Sequence, residues 1–196
     1  MPVVRPATAL DRERVVDTVV AAFVADPVFR YLFEGDGEAG GGHDQGYARH
    51  VAVFAGALFD LRVGHGTVWL VQDGAALAMW APPGPGGHAG ELGHLDLPPG
   101  PAGRLQEYEA ALGAVMPTRE HWYLGVLATH PARAGQRWGR LAMGPGLAAA
   151  AADSLPAYLE TASEANVALY RRSGWEVSAT ATVGPLAVRV MARPAP

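Results

Sequence analysis

Between the apolar run WYLGVLA (122–128) and the alanine-rich run LAAAAAD (147–153) lies the stretch ARAGQRWGRLAMGPG (132–146). The first run lacks polar alternation, which predicts a strand covered on both faces, and the second predicts a helix. A strand feeding a helix through a short turn commits the chain to a sheet with helices packed on it. The turn is also chemically specific. A helix start offers free N–H groups and the positive end of the helix dipole, which together attract an anion. Gly135 and Gly139 let the backbone come close to a phosphate, and Arg133, Arg137 and Arg140 add charge-assisted donors.

The remaining chain alternates in the same way. Val3 to Arg5 predicts a short strand, and TALDRERVVDTVVAAFVADP a helix ended by Asp26-Pro27. EGDGEAGGGHDQG is a glycine-rich loop, followed by the helical periodicity of YARHVAVFAGALFDLRV with Gly64 as its stop. Asp73-Gly74 between TVWLVQ and AALAMWA predicts a tight hairpin. Pro82 to Pro101 predicts a long loop, RLQEYEAALGAVM a helix, PAYLETA a strand, and EANVALYRRSG a helix capped by Gly174. Two strands close the chain, around Trp175 to Ala181 and Leu186 to Ala192. Pro145 should kink or end the helix that contains it.

Length and composition exclude several classes. At 196 residues the chain suits one domain, residues 1–196, and no segment approaches the roughly 20 apolar residues of a membrane span. The start lacks a signal-peptide pattern, so a cytoplasmic protein with no membrane partner is expected. There is no cysteine, which removes disulfides and thiolate chemistry. The 7 histidines form no i, i+4 pair beside an acid, so no catalytic metal is expected. A net charge of −4 speaks against nucleic acid, whereas the local arginine cluster suits a small phosphorylated ligand.

The order of elements, together with YLGVLATHPARAGQRWGRL and YLETASEANVALYRRSGWEV, resembles the GNAT superfamily of N-acetyltransferases. The resemblance implies an α/β (α+β) fold: a mixed, mostly antiparallel sheet with one splayed strand and helices on both faces. It also implies acetyl-CoA as acyl donor, its pantetheine arm along Leu127, Ala128 and Thr129, and its pyrophosphate in the turn formed by Ala134, Gly135, Gln136, Arg137, Trp138, Gly139 and Arg140. Asn166 and Tyr170, one turn apart on a helix, match the family residues that contact the cofactor and protonate the departing thiolate. An ordinary phenol is protonated at neutral pH and can serve as that acid.

Two positions depart from the family turn. Ala134 stands where Gln or Arg is usual, and Arg137 where Gly is usual, so one phosphate donor is lost and one cation gained. Direct attack by an amine needs a base, and Glu160 at its strand end is the first candidate, His121 the second; Glu107 and Glu109 read as a solvated helix face. The acceptor, a small-molecule amine or a peptide, should sit among the first helices, Trp80, and the loop holding His88 and His94. Phe29, Tyr31 and Phe33 read as core packing. Exposed terminal strands in such a fold allow a homodimer. A GNAT-like binding module without turnover, or an enzyme for another acyl-CoA, stays open as an alternative.

Overall fold

A computed structural model describes residues 2–35, 43–84 and 95–195, and the side chains of all of these but 43–45. The loop residues His88 and His94 lie outside the described residues. Seven strands form one sheet in the order β1-β2-β3-β4-β5-β7-β6: β1 (Val4–Pro6), β2 (Val68–Val71), β3 (Ala76–Ala81), β4 (Trp122–Thr129), β5 (Ala157–Thr161), β6 (Glu176–Val183) and β7 (Leu186–Arg193). Every neighbouring pair is antiparallel except β4 with β5.

The sheet has a core on each face. Helices α1 (Arg12–Ala22), α2 (Pro27–Phe33), α3 (His43–Val63) and α4 (Pro99–Gly113) cover one side, where Val15, Phe33, Phe59 and Leu105 meet Leu77, Met79, Val126 and Tyr158. On the other, α5 (Trp138–Ala152) and α6 (Glu164–Arg171) bring Ala142, Met143 and Val167 against Trp80, Leu124, Leu159 and Met191. Strand β4 contributes to both cores, Trp122 and Leu124 to one and Val126 and Ala128 to the other, as its apolar run predicts.

Asp73 and Gly74 form the hairpin turn, both with positive φ (55° and 91°), and Ala75 N donates to Gln72 O. Positive φ at both central residues is what a two-residue hairpin turn requires. Asp26-Pro27 does not end α1, which already stops at Ala22 with Phe23 as its cap; it starts α2. The Asp26 carboxylate accepts from the amides of Val28 and Phe29, and Pro27 occupies the first helical position.

Three further expectations about the helices need correction. Helix α3 starts at His43, inside the segment read as a glycine-rich loop. Helix α4 starts at Pro99, inside the segment read as loop, because Pro98 precedes the helix and prolines in a first turn forfeit only amides that would be unpaired anyway. Helix α5 runs on through Pro145 to Ala152. Glycines flank that proline, and Gly146 lets the Trp80 indole press against the helix: a Cβ there would lie 2.2 Å from Trp80 Cε2. Packing against β3 thus holds a helix that the local sequence would bend.

Candidate active site

Strands β4 and β5 pair at only two levels, Trp122 with Ala157 and Tyr123 with Tyr158. Beyond them the strands diverge, each still bonded to its outer neighbour, β3 or β7. The divergence coincides with an irregularity on the other edge of β4. There Met79 pairs with Val126 but Trp80 pairs with Leu124, which leaves Gly125 as an extra residue. Such a bulge bends a strand and increases its twist. Leu127, Ala128 and Thr129 lie on the half of β4 that β5 does not pair.

Glu160 stands on β5 just past the last shared pair. It alternates with Leu159 and so points with Tyr158 toward the α1–α4 face. Its Oε1 accepts from the hydroxyls of Tyr123 at 2.8 Å and Tyr108 at 3.3 Å. Oε2 is buried without a hydrogen-bond partner. Burial pushes the Glu160 carboxyl up from 4.5 to about 7, against the pull of the two tyrosines and of its own backbone amide, and the negative charge of Asp26 adds to the rise. Asp26 is itself raised by burial, an effect opposed by its bonds to the Phe29 and Val28 amides.

Tyr170 lies on α6, on the opposite face of the sheet, its ring edge-on to Trp175 at 6.1 Å between centroids. Burial, reinforced by Glu160 and Asp26, raises its phenol above the ordinary value, so it keeps its proton at neutral pH. Ser163 caps the helix by accepting from Asn166 N at 3.3 Å, and the Asn166 amide reaches Thr161 Oγ1 at 3.5 Å. Glu160 and Tyr170 therefore belong to opposite faces of the sheet, while β4 and β5 part at the level of Glu160.

His121 is farther from this group. It precedes β4 at the closed end of the divergence, its Nδ1 2.7 Å from Arg119 O and its ring edge-on to Tyr158 at 5.0 Å. Trp80 is corrected: it is fully buried under α5, on the face away from Glu160. Phe29 and Phe33 pack with Phe54 in the core, as read, while Tyr31 donates to Glu107 at 3.0 Å.

In the turn, Ala134, Gly135, Gln136, Arg137 and Arg140 are exposed and Trp138 and Gly139 are half-buried. Gly135 has φ 79°, a conformation suited to glycine. Arg137 also adopts the left-handed region, φ 61°, immediately before α5. Gly139 has a packing reason beside the proposed phosphate approach: a Cβ there would stand 3.2 Å from Thr129 Oγ1 on β4. The Arg133 guanidinium lies 5.6 Å over the Trp138 ring.

The residues around Glu160 are those that the sequence did not reveal. Tyr108, Tyr123 and Asp26 come from α4, β4 and the start of α2, 52 and 37 residues away in the case of the two tyrosines. The one sequence signal of the two tyrosines is a phenol within an otherwise apolar strand or helix face, and that of Asp26 is the Asp-Pro pair, which reads as a helix boundary and not as part of a site.

No protein-family model matches the chain. Its fold is that of the GNAT acetyltransferases. An acetyltransferase from Corynebacterium glutamicum, described as histone acetyltransferase HPA2 and related, superposes with a TM-score of 0.66 at 23% identity, over 100% of this chain and 97% of that one. The Drosophila melanogaster polyamine N-acetyltransferase, which forms N-acetylagmatine, gives 0.70 at 14% identity over 99% and 100%. The C-terminal condensation domain of Ebony, in complex with beta-alanyl-dopamine, gives 0.73 at 12% identity over 99% of each chain. Among the described residues, no helix is long and apolar enough to cross a membrane.

Proposed function

We propose that the chain is an acetyl-CoA-dependent N-acetyltransferase that moves the acetyl group directly to an amine of a small molecule or a protein terminus. The observation that carries this reading is the divergence of β4 and β5 beyond Tyr123 and Tyr158, with Glu160 on one face of the sheet and Tyr170 on the other. Backbone amides of Leu127 to Thr129 would hold the donor and polarise its carbonyl, and the turn from Ala134 to Arg140, with the start of α5, would take the pyrophosphate. Asn166 would contact the pantetheine arm.

The acceptor approaches from the α1–α4 face. Its ammonium gives a proton to Glu160, the freed nitrogen forms the C–N bond at the carbonyl carbon, and the C–S bond breaks. The leaving thiolate takes the proton of Tyr170 on the other face, the second proton that the nitrogen sheds as the amide forms passes to solvent, and solvent returns a proton to the phenolate. A base with a pKa of about 7 is matched to neutral operation. His121, held at the closed end, is the less favoured base. The fold neighbours that act on polyamines and agmatine support an amine acceptor.

A second reading keeps this attack but changes the acyl donor. It is favoured by Ala134 and Arg137 in the turn and by the likeness to the Ebony domain. A thiol-release assay separates the two, using acetyl-CoA and longer acyl-CoAs with a panel of primary amines. With no cysteine in the chain, the protein adds no thiol background. Amine-dependent release from acetyl-CoA supports the first reading, and release only from another thioester supports the second.

A further inference from the structure

We propose that Tyr123 and Tyr108 are positioning residues for Glu160, whose shared hold on Oε1 leaves Oε2 as the atom that takes the proton of the incoming ammonium. The inference rests on the reading of Glu160 as the base. Both hydroxyls donate to the same oxygen, at 2.8 and 3.3 Å, although a carboxylate offers two. The other oxygen is buried and has no hydrogen-bond partner. A buried acceptor left bare is costly unless a ligand supplies a donor, and an ammonium supplies both a donor and a compensating charge.

The two tyrosines come from different layers. Tyr123 belongs to the last pair before β4 and β5 diverge, so it fixes the carboxylate to the closed end of the gap. Tyr108 descends from α4, where the preceding residue, Glu107, accepts from Tyr31 of α2 at 3.0 Å. The carboxylate is therefore held between the sheet and the helices on the acceptor side. The other ionisable groups that act on it are Asp26 at the start of α2 and, across the sheet, Tyr170 of α6; its register partner on β7 is the apolar Val190.

Hydrogen bonds from the tyrosines favour the ionised carboxylate, so removing one must move its titration upward. The test is a carbon-13 carboxyl NMR titration of the full chain labelled at glutamate, with Glu160→Gln to assign the signal. A pH profile of kcat/KM accompanies it on wild type, Tyr123→Phe and Tyr108→Phe, which keep the ring and its packing. The expected result is a carboxyl midpoint near 7 that rises by roughly one pH unit in Tyr123→Phe and by less in Tyr108→Phe, with the kinetic limb following and KM for acetyl-CoA unchanged. A midpoint unmoved in both variants overturns the positioning role alone. A kinetic limb that survives Glu160→Gln overturns the base, and with it the assignment of Oε2.

Discussion

Trp80 fills the space in which a side chain on Gly146 would stand: a Cβ there would come within 2.2 to 2.5 Å of three indole atoms. The contact ties the middle of α5 to β3, at the level where β4 carries its extra residue, Gly125. Overpacking of this kind costs about 1 to 3 kcal/mol. Gly146→Ala should therefore lower the midpoint of urea unfolding, whereas Gly103→Ala, on α4 with open space around it, should raise stability by roughly 0.5 to 1 kcal/mol. Equal midpoints for wild type and Gly146→Ala would mean that α5 shifts freely on the sheet.

Arg137 sets a conformational cost against a charge. Its left-handed backbone, φ 61°, costs on the order of 1 kcal/mol, while a guanidinium–phosphate bond returns about 1.5 to 3 kcal/mol. Arg137→Gly should then stabilise the protein by up to about 1 kcal/mol yet weaken acetyl-CoA binding and flatten its salt dependence. Arg137→Ala should weaken binding without the gain in stability. Calorimetric titration of the three proteins checks this, and tighter binding by Arg137→Gly would show that the side chain obstructs the turn.

Tyr170→Phe should lower kcat by roughly 10- to 1,000-fold and leave the acetyl-CoA Kd nearly unchanged, since the ring still packs on Trp175 and only the proton is lost. Stopped-flow turnover and equilibrium binding on one preparation separate the two quantities. Equal turnover would remove the phenol from the mechanism.

Glu160 makes stability depend on pH. Its folded pKa lies above the ordinary value, so the protein binds that proton more tightly when folded. The stabilisation is present below about 4.5 and is lost as pH rises through about 7. Glu160→Gln has no such loss, and its advantage over wild type in thermal melts should grow between pH 5 and 8 to on the order of 1 to 3 kcal/mol. Asp26→Asn keeps the cap of α2 and removes a neighbouring negative charge. It should move the kinetic limb down by roughly a few tenths of a pH unit, opposite to the direction expected of the tyrosine variants.

The sequence carried the parts of this fold that are local. Asp73-Gly74 specifies its hairpin, the apolar run of β4 specifies burial in the middle of the sheet, and Gly174, with positive φ, turns the chain after α6. It misled where packing overrides a breaker, at Pro145 in α5, and where prolines that read as loop, Pro98, Pro99 and Pro101, instead start α4. Trp80 read as a pocket residue because periodicity alone does not say which face of β3 meets which layer of helices. Glu160 was legible as a polar end to an apolar strand. Its partners were not, since Tyr108 and Tyr123 reach it only once α4 and β4 are packed against β5.

In the proposed function, the gap between β4 and β5 takes an acyl thioester and its acyl group passes to an amine. Thiol release from acetyl-CoA, followed at pH 7 to 8 with and without primary amines, tests it most directly. The expected release requires the amine, saturates in both substrates, and falls in Tyr170→Phe and Glu160→Gln. Release no faster than without protein for every acyl-CoA and amine, together with no calorimetric binding of any of the thioesters, would contradict it.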